Sequence, residues 1–336
     1  MSLFSGIGAF EKALRNLHID FELVGYSEID KYASKAYSLI HNVPESLNLG
    51  DITKIDETAL EKNVDLITYG FPCQDISVAG KRKGFSDGKA KTRSGLFFDA
   101  LRVIQAIQPK IAIAENVKNL TGKRFKNEFE TVLNSLRLAG YNNYHAVLNA
   151  RDYGIPQSRE RVFIISIHKS VDNNKFVFPK SKELNKRLKD MLEDTVDEKY
   201  YIKNANMTVI NDSFDSTDRL MQVGILDMKG FDMIKRVYSV EGLCPTINTC
   251  QGGNTGVKII TQDSQIRRIT PKERFRLMGF EDKDIDVLID NNISNTQLDK
   301  MSGNSIVVNV LEEIFKSLID TQIIHTEKRE AAHGLI

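Results

Sequence analysis

The sequence predicts an α/β protein with a Rossmann-like, mostly parallel sheet and a second, smaller domain. Three observations support this prediction. In the first half of the chain, short apolar runs with β-branched residues alternate with helical apolar stripes, as in doubly wound sheets. A glycine-containing turn stands where the first strand would pass into the first helix. From about residue 170 the alternation gives way to a polar, lysine-rich stretch.

The strand-like and helical runs divide the chain. Strand-like runs occupy residues 23–27, 64–69, 111–115, 144–149 and 161–168. Apolar stripes with helical spacing lie within residues 96–104 and 129–136. We interpret residues 170–265, which show no periodic core pattern, as the smaller domain. A helix then resumes at 271–279, and the apolar run 306–319 is expected to return to the first helix, which makes the larger domain discontinuous (1–169 and 266–336).

Composition excludes several classes of protein. The 336 residues are 41% hydrophobic and 27% charged, as in an ordinary soluble globular protein. Apolar runs stay short of the roughly 18 residues of a membrane span, and the start lacks the features of a signal peptide. Three cysteines without a CxxC pair favour a reducing cytoplasm. The scattered histidines argue against a zinc site.

Positive charge is concentrated in a few runs, although the formal net charge is only +1. Residues 77–95 carry six basic side chains against one acid, and residues 175–189 carry six against one. A further basic run covers residues 267–276. Such a run is more often a solvated face than a binding surface, but runs that flank candidate catalytic motifs favour contact with nucleic acid.

The first candidate site is a nucleotide-like cofactor site. Gly6 and Gly8 lie at the predicted strand-to-helix turn, where glycine lets the backbone approach a ligand closely. Glu28 follows Gly8 by 20 residues, at the end of the next strand-like run, where a carboxylate would hold ribose hydroxyls. Asp51 would cap an adenine amine or simply form a turn. These residues alone fit an NAD-dependent enzyme as well as a methyltransferase.

The second candidate site is more specific. Cys73 follows a proline on the loop after the run 64–69, beside a basic stretch that would favour its thiolate. Glu115 ends the next strand-like run and would emerge at the same sheet edge. Arg159 and Arg161 lie two residues apart and would share a strand face; without context, either could form a surface ion pair with Glu160.

The order of these motifs resembles the DNA cytosine-5 methyltransferase family, of bacterial or phage type. The resemblance extends from residue 3 to about 319. The matching motifs are FSGIGAF (4–10), YSEID (26–30), GDIT (50–53), GFPCQ (70–74), SGLFFD (94–99), ENVKNL (115–120), GIPQSRERVF (154–163), RRITPKERFRLMGF (267–280) and GNSIVVNVL (303–311). Ala9 stands where the family usually has glycine, a change that a helix start tolerates.

The resemblance implies a role for each matching residue. Cys73 would add to C6 of the target cytosine, Glu115 would bind N3 and the exocyclic amine, and Arg161 would contact O2, with Arg159 in the same catalytic set. The implied fold is the S-adenosylmethionine-dependent methyltransferase sheet, and S-adenosylmethionine is the implied cofactor. Its binding residues would be Phe4, Gly6, Gly8, Glu28, Ile29, Asp51, Ile52, Pro72, Leu96, Asn304 and Ser305.

The resemblance also implies a partner, double-stranded DNA, whose target cytosine must be flipped out of the stack. Residues 170–265 would form the target-recognition domain. The expected DNA contacts are Ser77, Lys81, Arg82, Lys83, Arg236, Tyr238, Thr246 and Asn248. We expect no membrane partner and no metal, a monomer, and a cognate restriction endonuclease, if there is one, that acts separately.

Two rival classes stay open. An RNA methyltransferase of the same architecture would carry a Cys-Phe-Thr signature after the Glu-Asn-Val motif, and this sequence has none. A catalytically silent DNA-binding relative would lack Cys73, Glu115 or Arg161, which are all present. The target sequence is not predictable from the chain, and neither is membership of a restriction-modification system.

Overall fold

The strands and helices predicted for the larger domain are present, and the structure adds further elements. The structure, a computed structural model, describes residues 1–72, 93–203, 205–211, 219–250, 255–261 and 263–323. Its strands are β1 (Ser2–Leu3), β2 (Tyr26–Ser27), β3 (Leu66–Tyr69), β4 (Ile111–Val117), β5 (Tyr141–Asn149), β6 (Gln157–Ser158), β7 (Glu160–His168), β8 (Met207–Val209), β9 (Gln222–Leu226), β10 (Arg236–Ser239), β11 (Cys244–Pro245), β12 (Lys258–Ile260) and β13 (Ile266–Arg268). Its α-helices are α1 (Ala9–Asn16), α2 (Lys31–His41), α3 (Phe97–Ile107), α4 (Lys126–Leu138), α5 (Asp232–Lys235), α6 (Pro271–Arg276), α7 (Asp282–Asp290), α8 (Asn295–Asn304) and α9 (Val308–Asp320).

The larger sheet confirms the predicted Rossmann-like architecture. Its strand order, within the described ranges, is β2-β1-β3-β4-β7-β5. Strands β2, β1, β3 and β4 are parallel to one another, whereas β7 runs antiparallel to both β4 and β5. The carboxyl ends of β3 and β4 and the amino end of β7 therefore meet at one edge of the sheet. Loops at this edge are where open α/β sheets bind ligands.

The last helix, α9, packs against the first helix, α1. The rings of Phe10 on α1 and Phe315 on α9 meet edge to face at 6.5 Å, and Asn16 Nδ2 donates to Glu312 Oε1 at 2.7 Å. This packing agrees with the prediction that residues 306–319 return to the first helix. Because the two ends of the chain meet here, residues of the C-terminal motif reach the sheet edge formed by the N-terminal motifs.

The second sheet was not expected. The sequence predicted an irregular region without a core pattern in residues 170–265, but the structure has a five-strand order β13-β12-β10-β9-β8 in the part of the chain that it describes. One small apolar cluster supports it, formed by Met221, Val223, Leu226 and Val237. The prediction failed because these strands have three to five residues, too few to establish an alternating pattern.

A buried ion pair joins the second sheet to the larger domain. Thr270 and Glu273 form a capping box at the start of α6. Glu273, which is fully buried, also accepts from Arg267 Nη2 on β13 at 2.6 Å. The Glu273 carboxylate thus caps the start of α6 and also neutralises the buried guanidinium of Arg267 on the neighbouring strand. Among the described residues, no helix is both long and apolar enough to cross a membrane.

Candidate active site

The segment that leads to Cys73 is fixed beside Glu115. Strand β3 ends at Tyr69, and a Cβ placed on Gly70 would lie 3.8 Å from Glu115 Oε2. Asn116 Nδ2 donates to the carbonyl of Phe71 at 3.1 Å, which ties this loop to the end of β4. Pro72 is the last described residue before the gap. Cys73 lies outside the described residues, and so do the expected DNA contacts Ser77, Lys81, Arg82 and Lys83.

Glu115 and Arg161 form an ion pair at this edge. Arg161 Nε lies 3.0 Å from Glu115 Oε1, and the two side chains keep 18% and 13% of their exposure. The pairing register of β4 with β7 brings them together, since Val117 lies opposite Arg161. Burial raises the pKa of Glu115 above the usual range of a glutamate, and the guanidinium groups of Arg161 and Arg159 partly offset that increase. Glu115 is therefore a weaker acid than a solvated glutamate.

Arg159 has a different environment from Arg161. Its side chain is 3% exposed, and it donates to the carbonyls of Ile247 at 3.1 Å, Gly303 at 2.9 Å and Ser305 at 2.8 Å. Burial and the neighbouring Arg161 lower the pKa of Arg159. That Arg159 belongs to the catalytic set stays a prediction; in the structure its guanidinium binds three backbone carbonyls, which it can hold in position.

The first glycine motif has one open and one packed glycine. Phe4, Gly6 and Gly8 all have positive φ, at 52°, 56° and 79°. A Cβ on Gly6 would meet nothing within 4 Å, so a ligand can approach there as predicted. A Cβ on Gly8 would collide with the ring of His41 and would lie 2.8 Å from Tyr37 Cε2. Gly8 therefore serves close packing of α1 on α2 rather than ligand approach.

Glu28 is held in place by backbone amides and by Asn48. It accepts from the amides of Gly6 at 2.9 Å and Asp30 at 2.8 Å. Asn48 Oδ1 accepts from the amides of Glu28 at 3.0 Å and Gly50 at 2.9 Å, so one side chain sets the spacing between Glu28 and Asp51. Burial raises the pKa of Glu28, and the amides of Asp30 and Gly6 oppose this.

The remaining predicted cofactor residues differ in exposure. Ile29 is 77% exposed beside Glu28, so its side chain is available for an apolar contact with a ligand. Asp51 caps a short turn through Thr53, whose hydroxyl lowers the pKa of the carboxyl. Ile52 and Ser305 are buried, Leu96 is half-buried and Asn304 is exposed. Ile52 thus offers a ligand little accessible surface.

The predicted DNA contacts in the second sheet region are only partly accessible. Arg236 is half-exposed and pairs with Asp232 Oδ2, with a distance from Nε of 2.9 Å. Thr246 is exposed and donates to Ser158 O at 2.6 Å. Asn248 uses its amide within its own loop, donating to Thr255 O at 3.1 Å. Tyr238 is 6% exposed and packs into the core, so it offers DNA little surface, and its role stays a prediction.

Sequence reasoning missed the contacts that hold the 244–250 segment against α8. Arg274 is fully buried and donates to the Asn248 carbonyl, to Cys250 Sγ at 3.2 Å and to Ser302 Oγ at 2.9 Å. A Cβ on Gly303 would overlap the Asn248 backbone. Arg274 lies inside a recognised motif, but nothing in the motif indicates its partners, which lie more than 20 residues away.

Comparisons with known proteins agree on one family. The model of the C-5 cytosine-specific DNA methylase family matches residues 1–320. Orphan methyltransferase M.SPBetaI of Bacillus phage SPbeta is 34% identical over 436 aligned residues, which cover 96% of this chain and 98% of that protein. Type II methyltransferase M.HhaI of Haemophilus parahaemolyticus is 35% identical over 320, with 94% and 92% covered. The solved structure of the Entamoeba histolytica methyltransferase EhMeth has a TM-score of 0.69 at 18% identity, with 96% and 97% covered, a likeness of fold alone.

Proposed function

The chain belongs to the C-5 cytosine-specific DNA methylase family and is a DNA cytosine-5 methyltransferase, and from this premise we propose its mechanism. It transfers a methyl group from S-adenosylmethionine to C5 of a flipped-out cytosine through a covalent adduct of Cys73. The observation that carries the proposal is the Glu115–Arg161 pair at 3.0 Å, beside the segment that leads directly to Cys73.

The proposed reaction needs a nucleophile and a proton donor. The Cys73 thiolate forms a bond to C6 of the cytosine, and Glu115 gives its proton to N3, so that charge does not accumulate on the ring. C5 becomes nucleophilic and accepts the electrophilic methyl group that S-adenosylmethionine supplies. Transfer of the C5 proton to water, departure of the Cys73 thiolate and return of the N3 proton to Glu115 then restore the aromatic ring and the starting state of the enzyme. A raised pKa suits Glu115 to the proton-donating step.

Arg161 would orient both Glu115 and the base. Its Nε engages Glu115 Oε1 at 3.0 Å, and its Nη1 donates to the carbonyl of Glu160 at 2.8 Å. A guanidinium held at two points presents its remaining donors in a fixed direction. We assign those donors to O2 of the cytosine. A base without a hydrogen-bond acceptor at that position would leave them unpaired.

The residues at the first motif fit S-adenosylmethionine. Gly6 leaves space for close backbone approach, and Glu28 is already oriented by two amides, so its carboxylate can receive ribose hydroxyls without rearrangement. The exposed side chain of Ile29 would cover one face of the adenine. Asn304 and Ser305 would complete the site from the C-terminal motif, next to the carbonyls held by Arg159.

Sequence-specific recognition is the proposed role of residues 170–265, with residues 1–169 and 266–336 as the catalytic domain. Thr246 and Arg236 are the accessible candidates for DNA contact in that region. The basic run at 77–95 follows Cys73 directly and would meet phosphate. Exchange of 170–265 for the equivalent segment of a relative with another specificity should move the methylated sequence and preserve cofactor binding. A functional chimera with its original target would contradict this division.

The decisive experiment is substitution of Cys73. Cys73→Ala should abolish methyl transfer yet bind S-adenosylmethionine normally, and wild-type protein should form a stable adduct with DNA that contains 5-fluorocytosine, since fluorine cannot leave as a proton does. Cys244→Ala is a matched control, because burial raises the pKa of the Cys244 thiol and removes it as a nucleophile. Methylation by the Cys73→Ala protein would overturn the mechanism.

Bisulfite sequencing of plasmid DNA from cells that express the chain tests the substrate. We expect one short sequence to be methylated at C5 wherever it occurs. The same protein, incubated with transfer RNA and duplex DNA together, should label the DNA. Labelling of the RNA alone would favour the rival RNA methyltransferase.

A further inference from the structure

Lys258 is a buried lysine in the second sheet, and neither the proposed reaction nor the family motifs use it. It opens β12, between β10 and β13, and its side chain is fully buried. Its Nζ donates to the carbonyl of Ile234 at 2.5 Å and to the carbonyl of Gly256 at 3.2 Å. Lysine is almost never fully buried, so its placement here needs a reason.

The two carbonyls belong to segments that frame the proposed DNA contacts. Ile234 lies two residues before Arg236, where β10 begins. Gly256 lies two residues before β12, on the segment that follows Thr246 and Asn248. Because β10 and β12 are parallel, their preceding segments meet at the same end of the sheet. A single ammonium group therefore fixes the distance between them.

The second segment has a further anchor on its other side. Arg274 binds the carbonyl of Asn248 and the thiol of Cys250. Arg274 comes from α6 of the larger domain, whereas Lys258 comes from the small sheet itself. Asn248 and Cys250 are thus attached to the catalytic domain, and Gly256 is attached through Lys258 to the segment before β10.

Packing alone would favour a different residue at this position. An apolar side chain of similar length, such as methionine, would fill the same space without loss of hydration, which is costly for an ammonium group. Burial lowers the pKa of Lys258 to about 8; Arg268 adds to the decrease, and Cys250 opposes it. What lysine provides and methionine cannot is a directed link between two backbone segments.

We propose that Lys258 is a positioning residue for sequence recognition, which holds the segment before Arg236 and the segment after Asn248 at the spacing that the target sequence requires. This inference rests on the proposed assignment of residues 170–265 to DNA recognition. Without the link, each segment can still contact DNA, but their relative position is no longer fixed. Discrimination between sites should then fall more than the chemical step does.

The first test compares Lys258→Met with wild type on plasmid DNA of known sequence, with bisulfite sequencing after limited reaction. The ratio of methylation at the preferred sites to that at the next most used sites should fall about tenfold, which corresponds to the loss of one charged hydrogen bond. Ile259→Val is the matched control, since Ile259 is equally buried on the same strand and its apolar side chain donates no hydrogen bond to either carbonyl. It should keep the wild-type ratio. An unchanged ratio in Lys258→Met, or an equal fall in both variants, would overturn the proposal.

Hydrogen exchange tests the link without reference to activity. In Lys258→Met, peptides that contain Ile234 to Arg236 and Gly256 should exchange at least about tenfold faster, whereas the strands of the larger sheet should be unaffected. Unchanged exchange in both peptides would overturn the inference even in a fully active enzyme. Inactivity of the wild type toward DNA, with exchange as expected, would instead overturn the proposed function.

If Lys258→Met does not fold, wild-type protein provides the test through pH. The measured quantity is the ratio of methylation at the preferred sites to methylation at the next most used sites, because a pH effect that is common to all sites does not change this ratio. It should fall between pH 7, where Lys258 is protonated, and pH 9.5, where it has lost its charge. A constant ratio over this range would mean that the ammonium group does not support recognition.

Discussion

Substitution of Gly303 by alanine tests whether the 244–250 segment and the catalytic domain are coupled. It lies on α8, one residue before Asn304, and packs against the backbone of the 244–250 segment. A Cβ at this position would overlap the carbonyl oxygen of Asn248, and would lie 2.5 Å from its carbonyl carbon and 2.6 Å from the Thr249 nitrogen. All three are backbone atoms, so no side chain can rotate to relieve the contact.

The magnitude of the Gly303→Ala effect follows from this geometry. Overpacking by one methyl group in a well-packed contact costs about 1–3 kcal/mol. With an unfolding entropy of about 2.1 cal/mol/K per residue over 336 residues, that cost lowers the melting temperature by roughly 1.5–4 °C. Any strain that is relieved by moving the segment displaces Ile247, which Arg159 binds at 3.1 Å. A displacement of about 1 Å near a catalytic site can reduce turnover by up to about a hundredfold.

Thermal unfolding and steady-state methylation measure the two effects. We expect Gly303→Ala to show the lower melting temperature together with a fall in kcat/KM for DNA of about tenfold or more. Gly25→Ala is the control, because a Cβ there would lie 3.5 Å from the carbonyl oxygen of Leu47, an ordinary contact. If Gly303→Ala matches wild type in both stability and kcat/KM, the close contact does not exist in solution and the coupling argument fails.

Three further predictions follow from charges. Glu115→Gln should slow methyl transfer about 10²–10⁴-fold. Since folding raises the pKa of Glu115, the wild type loses stability as pH rises from the unfolded value of about 4.3 through the folded value. The melting temperature of Glu115→Gln should therefore rise relative to that of the wild type between pH 4 and pH 8. A difference in melting temperature that does not change with pH would mean that burial does not raise the pKa of Glu115. Glu273→Ala should cost about 3–5 kcal/mol in urea unfolding, because Arg267 loses its buried partner; a loss below about 1 kcal/mol, the range of exposed pairs, would contradict it. Alanine at the three consecutive basic positions after Cys73 should flatten the dependence of log affinity for DNA on log salt by about one unit per phosphate contact, whereas an equal slope would mean that they face solvent. These positions are Lys81, Arg82 and Lys83.

The sequence alone was enough to predict the family and the larger sheet, and it proposed the residues of the candidate site. Alternating apolar runs predicted β3, β4 and β7 because each is a buried strand of at least four residues, and local pattern suffices to recognise such elements. Glu115 could be placed at the sheet edge because the carboxyl ends of parallel strands share that edge. These inferences need only the neighbours of each residue along the chain.

Tertiary structure alone decided which of the candidate residues work together. Arg159 and Arg161 are equivalent in the sequence, yet one binds three backbone carbonyls and the other pairs with Glu115. Tyr238 has the polar tip of a base contact but is buried against the larger domain. In the sequence, Lys258 is a single charged residue within a short apolar run. Only the packing of distant segments shows that it binds the carbonyls of Ile234 and Gly256. The physical reason is the same each time: burial and hydrogen-bond partners depend on residues far away in the chain, and a local pattern carries no information about them.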